Sequence, residues 1–263
     1  MDLSLICIMG KYKVLRGGES FQRSKNLLTD ILWTAVFVHE SYNHTSMYRD
    51  QFNDSVNGTH SRRIELIGHE EFCDIYVSEG KKTIYVVFMG TNSDHQWTAN
   101  IFTSLVGLWD WDMNNMASLF AKKIVGCVSG LQLRDFKFVI SGHSRGGTLA
   151  MYTAQVLHNN YSKKKINVAR VITFGAAKVS YSVDFDPPYR VHRVVNESDI
   201  VPHFPIGIFC KHVGHEVSFR SDDGDSDGNL FAKGGESPHS TSTYLDFARS
   251  LQLKKKKKRN NNS

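Results

Sequence analysis

Phe136-Lys137-Phe138-Val139-Ile140-Ser141-Gly142-His143-Ser144-Arg145-Gly146-Gly147-Thr148-Leu149-Ala150 is the stretch whose reading decides the fold. A short apolar run ends in Gly-His-Ser-Arg-Gly, and a helical run follows. This is the Gly-x-Ser-x-Gly pattern of a nucleophile elbow, in the strand–turn–helix context that such an elbow requires. The glycines are there for a physical reason, since a side chain at 142 or 146 would crowd the neighbouring strand or helix. The turn sets Ser144 at a helix N-terminus, where the Arg145 N–H can face a developing oxyanion.

Around this stretch, strands alternate with helices. Lys25 to about Tyr42 has Leu27, Leu28, Ile31, Leu32, Ala35 and Val36 at helical spacing. Phe72–Val77 and Thr83–Met89 read as a hairpin, with residues 78–82 as its turn. Met116–Val128 reads as a helix, Gly147–His158 as the elbow helix, and His239–Leu251 as a terminal helix. Val168–Phe174 and Arg190–Val195 are further strands. Residues 1–20 read as an irregular lead-in, and residues 43–62 and 221–238 as polar loops. The alternation predicts an α/β class with parallel strands around the elbow.

Composition bounds the function. The 263 residues suit one large domain, and a hydrophobic content of 41% with 22% charged residues is ordinary for a globular protein. Six of the 32 basic residues lie in the run Lys254–Arg259; the remainder balance the 26 acidic ones, so the net charge of +6 belongs to the tail. A neutral body argues against nucleic acid as a partner. We therefore expect a single domain over 1–253 and a disordered basic tail over 254–263. The four cysteines show no paired spacing, which favours free thiols. No signal peptide or membrane-spanning run is legible, which favours a cytoplasmic location. Asp223–Gly228 looks like half a calcium loop, but position twelve is Gly234 rather than Glu; a solvated acidic loop is the simpler reading.

An elbow serine needs a base and an orienting acid, in the order Ser, acid, His. Asp199 follows the strand 190–195, as the acid should, whereas Asp184 and Asp186 have no strand leading into them. The base stays open by spacing among His203, His212, His215 and His239. His203 is close behind Asp199, His212-Val213-Gly214-His215 has a spacing that two metal ligands could use, and His239 follows a long loop and opens a helix.

Six stretches in order carry a resemblance: Val87-Phe88-Met89-Gly90-Thr91, Ile140–Ala150, Ile172–Gly175, Arg193–Pro202, His212–Val217 and His239–Leu245. Over about residues 70–247 the chain resembles the class 3 lipases, the triacylglycerol lipase family known from fungi and plants. The resemblance implies an α/β-hydrolase fold, a central and mainly parallel sheet flanked by helices with its elbow at Ser144. It implies Ser144 as nucleophile, His239 as general base and acid, and Asp199 as the group orienting His239. It implies an oxyanion hole from Thr91 and Arg145, and a structural His212. Three departures stand out: Met89 where the family usually has Arg, Arg145 where it usually has Leu, and no Val-His-x-Gly-Phe before the helix near Met116.

The reaction implied is hydrolysis of lipid esters, acylglycerols above all, through an acyl-enzyme that needs no metal or cofactor. A phospholipase or short-chain esterase, a serine peptidase, and a lipase-like binder without turnover are the alternatives. In residues 95–115, Ile101, Phe102, Leu105, Val106, Leu108 and Trp109 can form one apolar helical face. The segment follows Thr91, where the resembling family often carries a lid, so Phe102, Leu105 and Trp109 are candidates for transient contact with a membrane or lipid-droplet surface; permanent packing in the core is the competing reading.

Overall fold

In the computed structural model, the residues described are 12–14, 25–43, 59–66, 71–90, 106–164, 166–180, 187–204, 210–221 and 237–260. The strands are β1 (Tyr12–Val14), β2 (Thr59–Leu66), β3 (Glu71–Ser78), β4 (Thr83–Phe88), β5 (Lys137–His143), β6 (Asn167–Phe174), β7 (Val179–Ser180), β8 (Arg190–Asn196), β9 (Cys210–Lys211) and β10 (His215–Ser221). The helices are α1 (Lys25–Asn43), α2 (Val106–Val128), α3 (Arg145–Tyr161) and α4 (Thr241–Asn260).

Eight strands form one sheet in the order β1-β10-β8-β6-β5-β4-β3-β2, and β7 pairs with β9 separately. The inner strands β10, β8, β6, β5 and β4 are parallel; β1, β3 and β2 add antiparallel edges. The sheet buries both faces, as a parallel sheet must. Successive side chains of β4 and β5 point to opposite layers. Ile84, Val86, Phe88, Phe138 and Ile140 pack with Phe120 and Ile124 of α2 and Leu149 of α3. Tyr85, Val87 and Val139 pack with Phe37 of α1 and Phe247 of α4. All the parallel strands end at one edge, which is where ligands gather in α/β sheets.

Four boundaries differ from the sequence reading. The lead-in contains β1, which pairs antiparallel with β10, and the polar segment 43–62 yields to β2 from Thr59. Both are edge strands, whose polar sequences carry little alternation to read. Helix α2 starts at Val106 rather than Met116. Gly107, Asp110 and the Asn114-Asn115 pair hide it locally, and burial of Met113, Met116 and Ala117 overrides their propensity. The fourth is the terminal helix, whose backbone continues through Asn260 instead of stopping at Leu251. Lysine is a good helix former, and neither Gly nor Pro interrupts residues 241–260.

Candidate active site

Strand β5 ends in the elbow. Ser144 has φ 56° and ψ −132°, a left-handed conformation that a side chain rarely adopts, and it caps α3. Such a residue stores about 1–3 kcal/mol of strain. Its N–H donates to the Phe174 carbonyl at 3.0 Å, tying the elbow to the end of β6. A Cβ on Gly146 would press into the Met89 carbonyl, so the start of α3 can lie against the end of β4 only as glycine. The Ser144 side chain is buried, and its hydroxyl makes no hydrogen bond among the described residues.

Asp199 lies just beyond the end of β8, its side chain fully buried. Its Oδ2 accepts from His239 Nδ1 at 2.7 Å and from the Tyr244 hydroxyl at 2.7 Å. Its Oδ1 accepts the Val201 N–H at 2.9 Å. Three donors thus converge on one carboxylate and fix its orientation. Tyr244 is held in turn by the Asn196 N–H, 3.2 Å from its oxygen. Burial, then the charge of Asp199, drives the Tyr244 phenol well above its usual range, so it remains a donor. Gly175, at φ +56°, ends β6 beside this group; a Cβ there would meet Asp199 Oδ2, the Tyr244 hydroxyl and His239 Nδ1.

His239 is supported from below by a second histidine. The His143 and His239 rings lie 4.4 Å apart, inclined by 32°. His143 Nε2 is 2.8 Å from the His239 carbonyl, and its Nδ1 is 3.0 Å from the Tyr42 hydroxyl. A carbonyl only accepts, so Nε2 carries the proton and Nδ1 accepts from Tyr42. Burial, reinforced by His239, pushes the His143 pKa well below the usual histidine value and keeps the ring neutral.

The predicted residues divide clearly. Asp199 and His239 are in direct contact, with Ser144 at the end of β5, separated from β8 by β6. Arg145 occupies the first helical position after Ser144, and its guanidinium pairs with Asp112 of α2 at 2.9 Å. Trp109 lies in the first turns of α2. Thr91, Phe102 and Leu105 lie outside the described residues, as does the acidic segment 222–236. Of the other histidines, His203 sits in the short turn after Asp199, and His215 begins β10, where its ring neighbours His192. The sequence reading missed the supporting roles of Tyr42, His143 and Tyr244. The His143 signal was its place inside the elbow motif, and the Tyr244 signal was its place in the stretch His239–Leu245; Tyr42 has no local signal.

Residues 85–209 match the family model for lipase (class 3). The chain is class 3 lipase-like. A Rhizomucor miehei lipase is 30% identical over 52% of this chain and 42% of its own length. A Caenorhabditis elegans lipase is 28% identical over 58% of this chain and 46% of its own. The match thus spans less than half the length of these relatives. A Rhizopus microsporus var. chinensis lipase structure superposes with a TM-score of 0.59 at 18% identity, covering 78% of this chain and 81% of that one. Proteins of the same fold include a triacylglycerol lipase whose catalytic centre is described as a serine protease triad. The fold of this class 3 lipase-like chain is that of the α/β-hydrolases, with a mostly parallel central sheet between helical layers.

Proposed function

We infer that the protein is a serine ester hydrolase acting on lipid esters, acylglycerols in the first place, through Ser144, His239 and Asp199. The observation that carries this reading is the buried Asp199 carboxylate at 2.7 Å from His239 Nδ1, at the strand ends where Ser144 occupies its strained elbow. That contact holds the His239 tautomer with a bare Nε2, the form able to accept a proton. His239 Nε2 takes the Ser144 proton as Oγ attacks the ester carbonyl, and a tetrahedral oxyanion forms. The Arg145 N–H, at the N-terminus of α3, and Thr91 are the donors assigned to that oxygen. One such donor is worth about 3–4 kcal/mol in the barrier. The imidazolium then protonates the leaving alkoxide, releasing the alcohol. Water, deprotonated by His239, attacks the acyl-enzyme and releases the acid. Hydrogen bonds of this kind are often open without substrate and tighten on binding, which accommodates the unbonded Ser144 hydroxyl.

The partner in this reading is a lipid ester, met at a membrane or lipid-droplet surface by the segment containing Phe102, Leu105 and Trp109. A cytoplasmic location goes with it, in keeping with cysteines that show no paired spacing in the sequence. The test is a fluorophosphonate probe together with a substrate panel of acylglycerols, phospholipids and short esters. Labelling at Ser144 and hydrolysis of acylglycerols are expected, both lost in Ser144→Ala. Ser144→Ala and His239→Ala should each lower kcat by at least about 10⁴-fold while the protein stays folded. Folded wild-type protein that takes up no probe would make it a lipase-like binder instead.

A further inference from the structure

The body of the chain is neutral by count, but its charge is not evenly spread. The edge of the sheet opposite the candidate site, where the parallel strands begin, collects basic residues from separate parts of the chain. Lys81 and Lys82 lie in the β3–β4 turn, Arg134 just before β5, Lys163 and Lys164 just before β6, and Arg190 at the start of β8. All six are exposed. The strand register sets Thr83 beside Lys137 and Lys137 beside Asn167, so these segments share one edge. Glu79 and Asp135, paired with Lys82 and Arg134, are the exposed acids there among the described residues. Beneath them, buried Asp30 lies 3.6 Å from Lys137 and 3.3 Å from Arg170.

Helix α4 extends this edge. It begins at the site, where Thr241 Oγ1 bonds His39 Nδ1 and Tyr244 holds Asp199. Its 20 residues span about 30 Å. Leu251 packs in the same layer as Leu27 and Leu28, at the start of α1. Helical backbone past Leu251 therefore carries Lys254–Arg259 beyond the basic edge, not toward the site.

We propose that this pole is a docking surface for an anionic lipid bilayer. The cations stand along a sheet edge several strands wide, an array suited to a flat, charged headgroup plane. Each Lys or Arg near such a surface adds to the attraction over a Debye length. A single-stranded nucleic acid would be held by aromatic platforms for its bases, and the aromatic rings here lie beneath lysines. The Lys81 ammonium lies 5.3 Å above the Trp33 ring, and that of Lys82 4.9 Å above Phe136. The site opens at the other end of the strands, about 20 Å away. The bilayer that moors the protein is thus not the surface whose esters enter the site. This proposal does not depend on the hydrolase reading.

The test uses full-length Ser144→Ala protein, so that no lipid is consumed, and co-sedimentation with phosphatidylcholine vesicles with or without phosphatidylserine. Binding at least tenfold stronger to the phosphatidylserine vesicles is expected, and lost at high salt. Lys81→Glu with Lys82→Glu, Lys163→Glu with Lys164→Glu, and removal of residues 254–263 should each weaken it severalfold, circular dichroism showing the fold retained. Hydrogen exchange on the vesicles should slow at residues 79–83 and 162–164, and not at 89–90 or 199–204. The proposal is overturned if binding ignores phosphatidylserine, if the tail deletion removes all of it while both body pairs have no effect, if protection appears at the site end, or if duplex DNA displaces the vesicles.

Discussion

At the scale of the residue, the site depends on hydrogen bonds that fix direction rather than on unusual chemistry. Asp199 orients His239 through one oxygen and uses its remaining capacity on Tyr244 and the Val201 N–H. Removing the Tyr244 hydroxyl leaves a buried carboxylate short of a donor. Tyr244→Phe should lower kcat about tenfold with KM little changed, if the loss is one of transition-state positioning. His143 holds His239 by its main chain, since its Nε2–H is aimed at the His239 carbonyl. His143→Leu removes that donor and should lower kcat per probe-titrated site by about tenfold or more. His143→Gln places an amide N–H near the same position and should recover most of it. Equal kcat in the Leu variant and wild type would reduce His143 to a packing residue. Nitrogen NMR of the wild type should show a neutral Nε2–H tautomer for His143 from pH 5 to 9.

At the scale of the element, α2 and α1 carry the testable consequences. Helix α2 reaches back to Val106, and Asp112 in its second turn grips Arg145 beside Ser144. The first turns of α2, with the residues before them, are the ones read as a lipid-facing lid. Trp109→Ser and Phe102→Ser should therefore reduce hydrolysis of emulsified lipid at least tenfold more than hydrolysis of a soluble short-chain ester. Equal losses on both substrates would make the segment pocket wall. Helix α1 contributes the buried Asp30, which accepts from the Tyr85 hydroxyl at 3.1 Å and pairs with both Lys137 and Arg170. Asp30→Ala leaves two half-buried cations facing each other and should cost about 3 kcal/mol in urea unfolding, with kcat of the remaining folded enzyme unchanged.

At the scale of the whole molecule, the sheet separates the edge that carries the candidate site from a basic one, and buried histidines make the fold sensitive to acid. Burial, then Arg170, His215 and Arg190, lowers the His192 pKa to about 4. His143 is shifted in the same direction. In the unfolded chain both titrate near 6.5. Between pH 6.5 and 4 the unfolded state thus takes up protons that the folded state refuses, and stability falls as pH falls. The melting temperature should be flat above pH 7 and drop steadily from pH 6.5 to 4. His192→Gln should flatten part of that slope; an unchanged slope would mean that His192 is charged in the folded protein.

The amino-acid sequence alone determined the elbow at Ser144, the paired strands around it, and Asp199 as an acid at a strand end; His239 came from the family resemblance. The first three are local signals: an apolar run, glycines where backbones touch, an acid at a strand end. Only the tertiary structure brought His239 Nδ1 to Asp199, because a separation of 40 positions carries no spacing rule and the other histidines stayed open. It also decided what no local pattern encodes. Tyr42 reaches His143 across 101 residues because α1 packs on the strand layer that ends at the site. Helix α2 begins ten residues early because burial outweighs propensity. The neutral charge count of the body concealed a segregated surface: parallel strands all begin at one edge, so lysines and arginines that precede them separately in the chain meet there in space.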